Sequence, residues 1–220
     1  MKISMLRSTA FQGNAGVFAR ALCASALAVG LIGAAQAQVT GTINIPGTYP
    51  DLAAAITDVN AVGVGAGGAT LNLLAGNAQT APAGGYSITT PTTSAANPLA
   101  IVGNSNTVTA NATLTAGALN DAIFKIIGSD NVTLSGFTMN ENAANITTAA
   151  ATNNMTEFGV ALFYTSATDN SQNITLQNNV IALNRNYQNT FGIYANATHT
   201  ASAVTTSASA TGAAGGNSGL

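Results

Sequence analysis

Charge is nearly missing from this sequence. Lys, Arg, Asp and Glu together make up 5% of its 220 residues, against about 25% in an ordinary soluble domain. Disorder is not the consequence, because disordered chains pair low hydrophobicity with high net charge, whereas here 47% of residues are apolar. A chain this neutral must hide its backbone in regular hydrogen bonding or associate. Beyond residue 37 the only cations are Lys125 and Arg185, set against Asp51, Asp58, Asp121, Asp130, Glu141, Glu157 and Asp169, a net charge of −5. Two scattered cations cannot neutralise a run of phosphates, which excludes nucleic acid as a partner. Cysteine is missing after Cys23, so that region has no disulfide and no thiolate metal site. Long apolar runs are missing too. The uncharged stretch 21–34 falls short of the roughly 20 residues a membrane span needs, and no second one follows.

That stretch has another use. Lys2, Arg7 and Arg20 precede it, and Ala35-Gln36-Ala37 follows with small residues at the two positions a signal peptidase reads. Residues 1–37 are expected to be a cleavable signal peptide, with mature protein starting at Gln38 and exported to the medium or the outer surface of a bacterial-type cell. Arg20 stands where a lipoprotein site would want Leu, three residues before Cys23.

In the mature chain one helix is expected, over 51–62. Thr48 can cap it, Pro50 suits a first turn, and Asp51 can return the capping-box bond. Leu52, Ile56 and Val59 fall on one face, and Gly63 is a plausible stop. Strand patterns flank it at 42–45 and 69–74. The rest reads as short strands at 86–89, 99–102, 124–126, 132–134 and 137–139, separated by turn residues such as 128–131 and 135–136.

Internal repetition decides the architecture. Ser129-Asp130-Asn131-Val132-Thr133-Leu134 recurs as Ser171-Gln172-Asn173-Ile174-Thr175-Leu176, and Phe158-Gly159-Val160-Ala161 recurs as Phe191-Gly192-Ile193-Tyr194. Thr107-Val108-Thr109 is a weaker echo of Asn131-Val132-Thr133. The unequal offsets predict coils of roughly 20–25 residues with inserted loops, the insertions falling at 143–156 and 197–216. Strands without intervening helices are not βαβ units. A solenoid stacks equivalent strands in parallel, placing Val132 on Ile174, Leu134 on Leu176, and Asn131 on Asn173 in a turn where amides can bond along the stack. The expected fold is all-β, a right-handed parallel β-helix with an N-terminal amphipathic capping helix. The cap occupies 38–76 and the coils 77–220. Asn217 lies 44 residues after Asn173, so the chain is expected to stop as another coil begins.

The stretch Gly47-Thr48-Tyr49-Pro50-Asp51-Leu52-Ala53-Ala54-Ala55-Ile56, with Ala69-Thr70-Leu71-Asn72-Leu73 after it, resembles the N-terminal cap of pectin-lyase-like β-helix proteins of bacterial surfaces. Residues 124–137 and 173–181 resemble their coils. The resemblance covers about residues 41–196 and implies the fold. It does not choose among the lyases, hydrolases, tailspikes and adhesins that share it.

No catalytic, cofactor-binding or metal-ligating residue is assigned, and no cofactor is expected. A pectate-lyase-like site needs clustered carboxylates for Ca²⁺ and a basic residue to take a proton, but Asp130 and Asp169 read as turn and loop residues, and Lys125 and Arg185 as isolated. A polygalacturonase-like site needs paired carboxylates. Glu141 and Glu157 flank an insertion and read as solvated loop charges. His199 is a lone histidine in a Thr/Ala-rich stretch. The N-x-[ST] sequons at Asn111, Asn131, Asn145, Asn154, Asn173 and Asn196 follow from composition, and the pairs Thr107/Thr109 and Thr113/Thr115 lack the constant spacing of an ice-binding ladder. These features point to a non-catalytic surface protein, an adhesin, stalk or passenger. Carbohydrate or a cell surface is the expected partner, and self-association through an open last coil is expected. The alternative is the first part of a secreted polysaccharide lyase or hydrolase whose catalytic coils lie beyond residue 220.

Overall fold

A computed structural model describes residues 37–195, except 113, 115–119, 150, 151, 167, 168 and 188. The leader (all but its last residue), His199, Asn196, the insertion at 197–216 and Asn217 lie outside the described residues. Among those described, no helix is long and apolar enough to cross a membrane.

The chain is predominantly β. Strand β1 (Val39–Ile45) leads through one helix, α1 (Leu52–Val62), to β2 (Val64–Leu73). Short strands follow: β3 (Gln79–Thr80), β4 (Tyr86–Ile88), β5 (Leu99–Val102), β6 (Thr107–Thr109), β7 (Ala122–Ile127), β8 (Val132–Ser135) and β9 (Thr138–Asn140). The last are β10 (Phe158–Phe163), β11 (Thr175–Gln177), β12 (Val180–Ala182) and β13 (Phe191–Ala195). They form three sheets: A in the order β1-β2-β5-β8-β11, B in the order β3-β6-β9-β12, and C in the order β4-β7-β10-β13. Every ladder is parallel. From β2 onward the chain visits A, B and C in strict rotation.

Parallel in-register pairing makes columns of equivalent side chains. Leu71, Ile101, Leu134 and Leu176 form one inward column of sheet A. Val108, Met139 and Ile181 form one in B, and Tyr86, Phe124, Val160 and Ile193 one in C. Apart from the last turn, these side chains are buried in one core. Tyr86 and Phe124 stack at 4.9 Å between ring centroids.

The positions shared by the motif at 129–134 and 171–176 have distinct roles. Ser129 Oγ donates to the Thr90 carbonyl, and Ser171 Oγ to the Ile126 carbonyl, each tying the start of a turn to sheet C of an earlier one. Asn131 and Asn173 take left-handed backbone angles, φ 51° and 55°, which Asn tolerates better than most residues. Thr133 stacks on Thr175 and Leu134 on Leu176, as the repeat predicts. The amide ladder runs elsewhere: Asn104 donates to Asn72, and Asn72 to Asn44, at 2.8 and 2.7 Å on the outer face of sheet A.

Paired residues lie 25 to 42 apart in sequence, loops included, a spread that inserted loops of different length account for. Two expectations are corrected. Thr107–Thr109 is not an echo of 131–133: it pairs with Thr138–Asn140 in sheet B. The helix cap is Asp51, whose side chain accepts from Ala54 N–H at 2.8 Å, not Thr48. Its buried face is as expected, Leu52, Ile56 and Val59 with Ala55, and Gly63 ends it at φ 81°. The helix also serves an open strand edge. Asn60 Nδ2 donates to the Ser87 carbonyl at 2.7 Å and its Oδ1 accepts from Thr89 N–H at 2.9 Å. Its amide thereby supplies the two bonds a further strand would have given β4.

Candidate functional site

Sheet C brings together acids that lie far apart in sequence. β10 follows the insertion 141–157, and its register sets Phe158 on Ala122. The two residues just before these, Glu157 and Asp121, therefore meet. Glu157 N–H and Phe158 N–H both donate to the Asp121 carbonyl, at 3.1 and 3.0 Å. Asp121 N–H donates in return to Glu157 Oε2 at 2.9 Å. Phe191 N–H, one turn on, donates to the Glu157 carbonyl at 2.7 Å. Glu157 thus joins the entries of three strands.

Glu141 closes the insertion at its other side. Its Oε1 accepts from Asn145 Nδ2 and Thr156 Oγ1 at 2.8 and 2.7 Å, and its Oε2 from Thr156 N–H at 3.2 Å. One carboxylate so holds residues near both ends of the loop.

The expectation of two solvated loop charges is overturned for Glu157, which is 0% exposed, with Asp121 at 1%. A loop excursion returns this backbone to the core-lined sheet, and the side chain follows it inward. Burial pushes the Glu157 carboxyl up to about 8; the charges of Asp121 and Glu141 push the same way, against the N–H bonds it accepts. Lys125 is not isolated either. It stands half-buried on β7, between Ser87 and Ala161 in register. Burial pushes its ammonium down, and the Asp121 charge partly restores it.

The other candidates stay apart. Asp130 Oδ1 accepts from Gln172 N–H at 2.8 Å, a bond between turns. Asp169 closes a tight loop through backbone bonds with Thr165 and Ser166. Arg185 lines a hollow at the last turn with Ile181 and Thr190. Among the described residues no group of three or more His, Cys, Asp or Glu side chains is placed to hold a metal ion.

A second region went unread in the sequence. The outer face of sheet A carries Thr42, Thr70, Ala100, Thr133 and Thr175 in one column, and Asn44, Asn72, Val102, Ser135 and Gln177 in the next. Neither column holds a charge. A shallow groove crosses this face where Gly67 and Gly68, both at positive φ, bulge β2. Gly68 also passes Pro98 so closely that a Cβ would stand 2.6 Å from the Pro98 carbonyl oxygen. Comparison of the chain with family models, with curated proteins and with solved structures finds no match to any of them.

Proposed function

We propose that this chain is an exported, non-catalytic surface protein whose mature part is a right-handed parallel β-helix of the pectin-lyase-like kind, capped by α1. The observation that carries the fold is the strict A-B-C rotation of parallel strands in register. Right-handedness follows from the near-universal hand of parallel crossovers. The leader at 1–37 supplies export. The non-catalytic role rests on placement: Glu157 and Asp121 are buried, out of reach of a polymer, and the outward columns of sheet A are mostly Thr, Asn, Ser and Gln, with Ala100 and Val102, and carry no charge. Such a face suits contact with a neutral carbohydrate or cell surface, and the apolar last turn suits self-association.

The test is expression of the whole chain in a bacterial host. Exported protein should begin at Gln38 on N-terminal sequencing and be removed by protease added to intact cells. Purified protein should leave polygalacturonate intact with or without Ca²⁺. Protein beginning at Met1 and shielded inside the cell would sink the export reading. Calcium-dependent release of unsaturated product would sink the non-catalytic one.

A further inference from the structure

We propose that Glu157 holds a proton through neutral pH, and that losing it loosens the join between the insertion 141–157 and sheet C. The geometry leaves the carboxyl little choice. Its Oε2 accepts the Asp121 N–H, but its Oε1 is buried without a hydrogen-bond partner. An ionised carboxylate in that position would keep one oxygen desolvated and unpaired, which is costly. The groups around it deepen the cost. Asp121, from the segment entering β7, and Glu141, from the segment leaving β9, both oppose a negative charge there. Lys125 on β7 feels the Asp121 charge. The insertion itself, residues 142–156, contains no ionisable side chain. From the next turn, Phe191 contributes its N–H, buried Tyr187 meets the insertion through its OH, which accepts from Asn153 Nδ2 at 3.3 Å, and Arg185 lines the hollow beyond. A divalent cation is another way to neutralise a buried carboxylate, but no group of three or more acids or other ligands is placed to hold one among the described residues. A proton needs no such set.

The sign follows from the shift. The folded-state value is raised, from 4.5 to about 8. Protonation therefore favours the folded join fully below pH 4.5, and this contribution is lost progressively as pH rises through about 8, then stays lost. Between those limits the folding equilibrium changes by up to about tenfold per pH unit from this group. Because Glu157 links three strand entries, its ionisation should open the insertion and the start of β10 before the rest of the stack.

The experiment measures the melting temperature of the whole chain, wild type and Glu157→Gln, in steps from about pH 5.5 to about pH 9, with chelator and with added Ca²⁺. Wild type should lose stability steadily toward pH 8 and then level off. Glu157→Gln should be nearly flat, and Ca²⁺ should change neither. Equal slopes in the two proteins would overturn the proposal. So would Ca²⁺ abolishing the wild-type slope, because the site would then hold a cation. If Glu157→Gln fails to fold, carbon-detected NMR titration of the wild-type Glu157 carboxyl decides. A midpoint near 8 sustains the proposal, and one below about 5.5 overturns it.

Discussion

Tyr86 and Ile193 stand in the same column of sheet C, three strand steps apart, yet Tyr86 is 2% exposed and Ile193 49%. The chemistry of the column does not explain this; both are large apolar residues facing the same core. The difference lies in what lies over them. At β4 the helix α1 covers the edge, with Ile56 and Val59 buried and Asn60 pairing the Ser87 and Thr89 backbone. At β13 no comparable cover occurs among the described residues. Val180 on β12 is 58% exposed and Phe191 39%. A stack of parallel strands manufactures a new open edge with every turn, so a separate element has to end it. Among the described residues that element is seen at the β4 end.

The strongest way to break the contrast is to remove the cover. Ile56→Asp places an unpaired charge against the core and should cost about 4 kcal/mol or more, read as a fall in the urea midpoint. An unchanged midpoint would mean that α1 does not seal the stack. A pair of truncations in one column sharpens the point. Phe124→Ala, in the fully buried middle of the column, should cost about 3–5 kcal/mol. Ile193→Ala should cost less than about 1 kcal/mol, because half its surface already meets water. Equal costs would show that the last turn is as well covered as the middle. Asn60→Ala removes both bonds to the β4 edge and leaves the Ser87 carbonyl and the Thr89 N–H without their protein partner; about 1–2 kcal/mol should be lost.

The same contrast explains what could be read in the sequence. The helix was legible because its apolar residues fall at a 3.6-residue period and Gly63 stops it. Its cap is ambiguous in the sequence because Thr48 and Asp51 both offer capping oxygens three residues apart, and only the backbone at Asp51, extended at φ −150°, decides between them. The motif at 129–134 is legible because its Ser, Asn, Thr and Leu each have one stereochemical task, so those residues recur at 171–176. The acid pair was hidden. Glu157 precedes Phe158-Gly159-Val160, whose echo at 191–193 is plain, but the strand on its other side begins Ala122-Ile123-Phe124 and shares nothing with it in sequence. Only the register joining Phe158 to Ala122 reveals that Asp121 and Glu157 meet. The polar columns of sheet A were missed for a related reason. They depend on residues 28 to 42 apart, and unequal loop lengths blur any fixed period.

The smallest expected effect on folding falls at the open edge. Val180 is well exposed and, among the described residues, pairs on one side only, with Thr138. Val180→Lys should therefore change the unfolding free energy by no more than about 0.5 kcal/mol, as surface substitutions usually do. Its effect on association should be large by comparison. An exposed apolar strand edge is a template for another chain, and a lysine there removes apolar contact surface and sets like charges beside one another when two copies meet. If the last turn is where copies of the protein meet, sedimentation should show wild type associating as concentration rises and Val180→Lys remaining monomeric over the same range. If both associate equally, the contact lies elsewhere, and the uncharged face of sheet A becomes the surface to alter, by Thr133→Lys. If neither associates, the exposed Val180, Phe191 and Ile193 are covered within the chain itself, and the contrast between the two ends dissolves.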